Sequence, residues 1–176
     1  MAIHSFVSEY RVINNFKALQ QLVVTLLGYF ASLTLAIWQV HLWWVLLPAA
    51  VGAGVMAVRL YMLQHDCMHG CFIAPRWLND LIGVLLSPFT LTPFAMGRYN
   101  HNLHHSHVGD LDHRDTFEIN VLTVEEYRAL PLSGKLIYRL YRSPFTLVVV
   151  GPFIIYAIVH RFPKNTLKSG LVKDVL

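Results

Sequence analysis

From Ala18 to Val58 the chain runs for 41 residues without a single Asp, Glu, Lys or Arg. No other feature constrains the fold as much. A helix needs about 20 apolar residues to cross the hydrocarbon of a bilayer, so the run has room for two crossings. A buried hairpin of this length in a water-soluble protein would carry a polar stripe on its outer face, and none is visible. The first span is expected at roughly Leu22 to Gln39 and the second at roughly Trp43 to Leu63, a transmembrane hairpin over 22–63. Trp38, Trp43 and Trp44 flank the short connection, where interfacial indoles belong. Pro48 falls in the first turns of the second span, where proline is tolerated. Gly52, Ala53, Gly54 and Ala57 give that helix a small-residue face for close packing.

Charge placement sets the topology. Of fourteen Lys and Arg residues, twelve lie at or after Arg59; the others are Arg11 and Lys17. The positive-inside rule then puts the N-terminus, and everything after the second span, in the cytoplasm. The net charge of +4 is read as this topology signal and not as nucleic-acid binding. The N-terminus does not read as a signal peptide, because its first apolar run starts late, is long, and ends without a small-residue cleavage pattern.

Outside the hairpin, Met1 to Gln21 reads as an interfacial segment, with Phe6, Val7, Val12, Ile13 and Phe16 among polar residues. Trp77 to Leu86 is too short to span and fits a helix lying in the interface, which Ser87-Pro88 and Thr92-Pro93 are expected to interrupt. Gly109 to Asp115 reads as a cytoplasmic loop. Thr123 and Glu126 are spaced as a capping box opening a short helix. Pro131 is placed to open another, through Lys135, Arg139 and Arg142. Pro144 to Val159, with Gly151-Pro152 as an expected break, has two readings: a marginal span or a re-entrant segment over 144–160. The fold class is an all-α membrane protein, a transmembrane helical hairpin with cytoplasmic and interfacial helices that carry histidines.

Seven of the ten histidines lie between residues 64 and 118. His65 and His69 are four apart and share one face of a helix. Cys67 between them points about 200° away from His65, which argues against a mixed histidine and cysteine site. Cys67 and Cys71 read as small buried side chains, since they form no C-x-x-C pair. His101, His104 and His105 face one pocket if their segment is helical. His104 and His105 diverge by about 100°, the local reason to suspect a binuclear site. Imidazole donors suit Zn, Cu, Fe and Ni. Neither a zinc-type thiolate set nor the Glu-x-x-His motif of soluble di-iron bundles is present; Glu118, Glu125 and Glu126 lie in loop-like context. His4, His41, His113 and His160 read as ordinary polar residues, and His107 fits no independent pair. Asp66 has two readings, a carboxylate that orients a ligating imidazole or a solvated side chain.

His65-Asp66-Cys67-Met68-His69-Gly70 matches H-x3-H, and His101-Asn102-Leu103-His104-His105 matches H-x2-HH. On these residues, their separation and the preceding hairpin, the sequence resembles the membrane fatty-acid desaturases. The stretches Gly109 to Asp112, Leu122 to Tyr127 and Tyr138 to Arg142 look like the bacterial omega-6 type acyl desaturases. The resemblance implies O2-dependent conversion of a saturated acyl segment of membrane lipid into a double bond and water. It implies two irons, electrons from an external carrier such as ferredoxin or cytochrome b5, and His65, His69, His101, His104 and His105 as iron ligands. It marks out no separate catalytic acid or base and no organic cofactor site. It also implies a third box, H-x2-HH or Q-x2-HH, after a further pair of spans. Nothing after His113 matches it, and His160 stands alone. The expectation is therefore a truncated desaturase whose five ligands do not complete the two-iron site, with little or no activity by itself. Two other readings stay open: a related di-iron membrane hydroxylase or ketolase, and a non-catalytic membrane protein that binds zinc or interacts through its helices.

Overall fold

A computed structural model describes residues 12–112, 121–159 and 170–171. All the elements among the described residues are helical, and the chain divides into two units, Met1–Thr90 and Leu91–Leu176.

The first unit is built on helices α1 (Asn15–Trp38) and α2 (Trp43–Met68), of 24 and 26 residues, both long and apolar enough to cross a membrane. They meet along a seam of small residues. A Cβ added to Gly28 would lie 3.1 Å from Met56 Sδ, and one added to Gly52 would lie 3.1 Å from Ser32 Oγ. The helices approach because no side chain keeps them apart. Gly54 faces open space and takes no part. Trp43 and Trp44 are exposed beside the connection, their rings in edge contact at 5.8 Å.

Helix α1 begins seven residues before the expected start of the span. Asn14 caps it, its side chain accepting from Lys17 N at 3.0 Å, so the helix continues outward into polar sequence. The expected interfacial segment is thus helical from Asn15, and its residues 1–11 lie outside the described residues.

Helix α3 (Trp77–Thr90) packs on α2 through a buried polar cluster. Gln64 Nε2 donates to Gly83 O (2.9 Å) and to Ser87 Oγ (3.2 Å), and Gln64 Oε1 accepts from Thr90 Oγ1 (2.8 Å). Phe89 of α3 makes edge contacts with Tyr29 and Phe30 of α1 at 6.0 and 5.6 Å. Ser87-Pro88 does not interrupt this helix. Proline removes one backbone donor, but here only one turn from the end, where Ser87 Oγ donates to Gly83 O and Thr90 Oγ1 to Leu86 O.

The segment between α2 and α3 is held by two asparagines. Buried Asn79 accepts from Phe72 N and Ile73 N (3.1 and 3.2 Å) and donates to Ile73 O and Arg76 O (2.6 and 3.1 Å). Asn15, the first residue of α1, exchanges two bonds with the backbone of Ala74, at 2.8 and 3.0 Å.

The second unit contains α4 (Phe94–His107), α5 (Val124–Ala129) and α6 (Leu132–Tyr141). The capping box on α5 forms as its spacing requires: Glu126 N donates to Thr123 Oγ1 at 3.2 Å and Thr123 N to Glu126 Oε2 at 2.6 Å. Arg139 of α6 donates to Tyr127 Oη of α5 at 2.7 Å. Gly151-Pro152 does not break the following segment. Thr146–Val150 and Ile155–Val159 wind as π-helix on either side of one α-turn, Gly151–Ile154. The wide turn carries Gly151 N–H to Thr146 O, and a Cβ on Gly151 would stand 3.1 Å from that oxygen.

Candidate metal centre

In the first unit, His65 sits on the last turn of α2 and His69 is its C-terminal cap. The chain can place both on one face because the helix ends cleanly just beyond them. Gly70 takes a φ of +67°, a left-handed conformation that favours glycine. Gly70 N then donates to Cys67 O at 2.9 Å and Cys71 N to Asp66 O at 3.2 Å, the paired bonds of a Schellman cap. His69 therefore keeps helical geometry, with φ −77° and ψ −11°. The two imidazoles lie in edge contact with ring centroids 4.7 Å apart, and a ring nitrogen of each lies within 4.8 Å of the other.

Asp66 Oδ1 stands 3.7 Å from His65 Nδ1. That is beyond hydrogen-bond reach. Cys67 is buried away from the pair, as its helical position requires. Cys71 is exposed, contrary to expectation. It follows the cap instead of lying within the helix, and its Sγ donates to Asp66 O at 3.5 Å. Partial burial first, and the Asp66 carboxylate second, push its thiol above the ordinary value.

In the second unit, α4 is helical throughout the second histidine cluster, so its sequence spacing becomes spatial proximity. His101 Nε2 and His105 Nε2 are 2.9 Å apart, with ring centroids at 4.4 Å. Two nitrogens about 2.1 Å from one ion at a right angle would be separated by about 3 Å. The pair is thus set either to share a proton or to chelate. His104 lies farther out, its ring 6.2 Å from His101 and 5.6 Å from His105; its helical position accounts for the divergence from His105, whereas the expected grouping of all three imidazoles is looser than the His101–His105 pair. Each unit therefore brings together the pair spaced i and i+4, and in neither is the donor set completed by a thiolate.

His107 Nδ1 lies 3.0 Å from both Leu103 O and Ser106 Oγ. His41 lies in the connection at the far end of the hairpin, about 33 Å along α2 from His65 at 1.5 Å per residue. His4, His113, His160, Glu118 and the end of the acidic stretch at Asp115 lie outside the described residues. The supporting residues Gln64, Asn79 and Asn15 escaped the sequence reading. A lone amide one residue before His65, in otherwise apolar turns, was the available signal for Gln64.

The chain belongs to the fatty acid desaturase family, whose model matches residues 41–171. A fatty acid desaturase of Bacillus subtilis is 35% identical over 150 residues, covering 85% of this chain and 43% of that protein. A Synechocystis protein, an sn-1 oleoyl-lipid 12-desaturase, is 32% identical over 107 residues, 60% of this chain and 30% of its own length. An sn-1 acyl-lipid omega-3 desaturase (ferredoxin) of Nostoc is 35% identical over 83 residues, 47% of this chain and 23% of its own. The chain thus spans less than half the length of these relatives. No solved structure matches it.

Proposed function

We propose that this chain supplies His65, His69, His101, His104 and His105 as ligands of a di-iron centre for desaturating acyl chains of membrane lipids. The observation that carries the reading is the repeated i, i+4 imidazole pair, His101 and His105 with ring nitrogens 2.9 Å apart and His65 and His69 with ring nitrogens within 4.8 Å, in a chain of the desaturase family. Two irons bound there supply O2-dependent removal of hydrogens from adjacent carbons, with electrons from a carrier such as ferredoxin or cytochrome b5. The chain's own residues hold and orient. The α1–α2 hairpin anchors a multi-pass protein in lipid, and by the positive-inside rule the histidines lie on the cytoplasmic side. The Gly70 cap fixes His69 against His65, and the rigid turn of α4 fixes His101 against His105.

The donor set fits iron in kind, since imidazole suits it, but five histidines form only part of a two-iron ligand set. Residues 1–176 in membranes, given an electron donor and O2, are therefore expected to form no double bonds; new double bonds in the lipid would overturn the incompleteness. The test of the site is metal content of the detergent-purified chain from iron-supplemented cells. Iron is expected, falling at least tenfold in His65→Ala and His101→Ala and unchanged in His41→Ala and His107→Ala. Zinc as the sole metal, or equal iron in all four variants, would overturn the reading.

A further inference from the structure

The cations that bound the long charge-free run, Lys17 and Arg59, are far apart in sequence, yet the hairpin returns them to one place. They line a single cleft of about 330 Å³ on the first unit, with Gln20, Gln21 and Val24. Both are exposed. Among the described residues, neither side chain has a carboxylate partner; the nearby Asp66, which shares a neighbouring pocket with Lys17, lies instead against His65.

The position of Arg59 makes this pairing unusual. If Trp43 and Trp44 mark one interface, about 30 Å of hydrocarbon is crossed by about 20 residues, near Gln64. Arg59 then starts about 8 Å inside that limit, at 1.5 Å per residue. A guanidinium at such a depth reaches toward the headgroups along its own stem and takes an anionic partner there. Among the described residues the protein offers it no carboxylate, but it offers a second cation and two amides around a concavity. Two cations and two neutral donors suit the phosphodiester of a membrane lipid: the cations attract its negative charge and bond its anionic oxygens, and the amide N–H groups bond its remaining oxygens.

We propose that the Lys17–Gln20–Gln21–Arg59 cleft is a binding site for the phosphate of a membrane phospholipid, holding one lipid against the outside of the hairpin. The inference rests on the membrane embedding of α1 and α2 and is independent of the iron reading.

Native mass spectrometry of the full chain released from detergent tests it, with phosphatidylglycerol, diacylglycerol of the same acyl composition, and inorganic phosphate as separate probes. One phosphatidylglycerol is expected to remain bound to the parent chain, with diacylglycerol not retained. Arg59→Gln or Lys17→Gln should each weaken retention about fivefold, and the double variant more, because each cation near a lipid phosphate contributes about that factor. Arg59→Lys keeps the charge and should retain most of the binding, which separates the proposal from a variant that merely misfolds. Equal retention of phosphatidylglycerol by parent and double variant, or equal retention of diacylglycerol, would overturn the site. Binding of inorganic phosphate without phosphatidylglycerol would overturn the lipid as its source.

Discussion

Replacing Gln64 by leucine keeps most of the side-chain volume and removes three hydrogen bonds across the α2–α3 seam, to Gly83 O, Ser87 Oγ and Thr90 Oγ1. The groups left behind keep local partners, since Ser87 Oγ donates to Gly83 O and Thr90 Oγ1 to Leu86 O. The cost is therefore the three bonds and not the larger cost of stranding buried polar atoms. At about 0.6 kcal/mol for each bond of this kind between membrane helices, the loss is about 2 kcal/mol. For a chain of this size that lowers the melting temperature by about 4–8 °C. Gln64→Glu is nearly isosteric but puts an acceptor against Gly83 O, so it should be more destabilising than leucine at neutral pH. Thermal unfolding of the purified chain in one detergent, followed by far-UV circular dichroism, reads both. A Gln64→Leu protein melting within a degree of the parent, or a Gln64→Glu protein more stable than it, would refute the seam as a determinant of the helix pair.

Other substitutions probe the ground on which the first histidine pair stands. Gly70→Ala forces a Cβ into a left-handed conformation at about 1–2 kcal/mol. The flexible Arg76 side chain facing that Cβ can move, so the same thermal assay should show a fall of about 2–8 °C. Gly70→Asn should fall less, since asparagine tolerates this conformation, and equal losses would contradict the backbone argument. Asn79→Ala removes the four bonds that pin the segment after His69. Trypsin should then cut after Arg76 several-fold faster than in the parent, and an unchanged rate would show that the segment holds without its asparagine.

Much of the architecture was legible because the signals were local or compositional. The charge-free run from Ala18 to Val58 gave the hairpin, the Thr123–Glu126 spacing gave the capping box, and the i, i+4 histidines became neighbours once their helices formed. The misreadings share a physical cause, which is that local backbone bonding overrides the signals of residue type. Polar residues before Leu22 suggested the edge of a helix, but Asn14 caps α1 further out. Pro88 suggested an interruption, but hydroxyls on Ser87 and Thr90 bond the backbone around it. Gly151-Pro152 suggested a break, and the chain widened into π-turns instead. Of the candidate site, the two histidine pairs were written in the spacing. The residues that brace them were not, because Asn79 and Asn15 act on backbone groups whose position no periodicity predicts.

The bonds between Asn15 and Ala74 join residues 59 apart in the chain, and this separation has a consequence for the order of assembly. During synthesis at about 5–20 residues per second, the side chain of Asn15 waits roughly 3–12 s for its partner to be made. Throughout that interval α1 and α2 can enter the bilayer and zip along their small-residue seam, while the amide of Asn15 must be served by water or headgroups. The start of α1 is thereby kept at the membrane surface until Ala74 arrives. The latch closes only after the residues that carry His65 and His69 have been made, so the segment beyond that pair is joined to α1 only once the hairpin is complete.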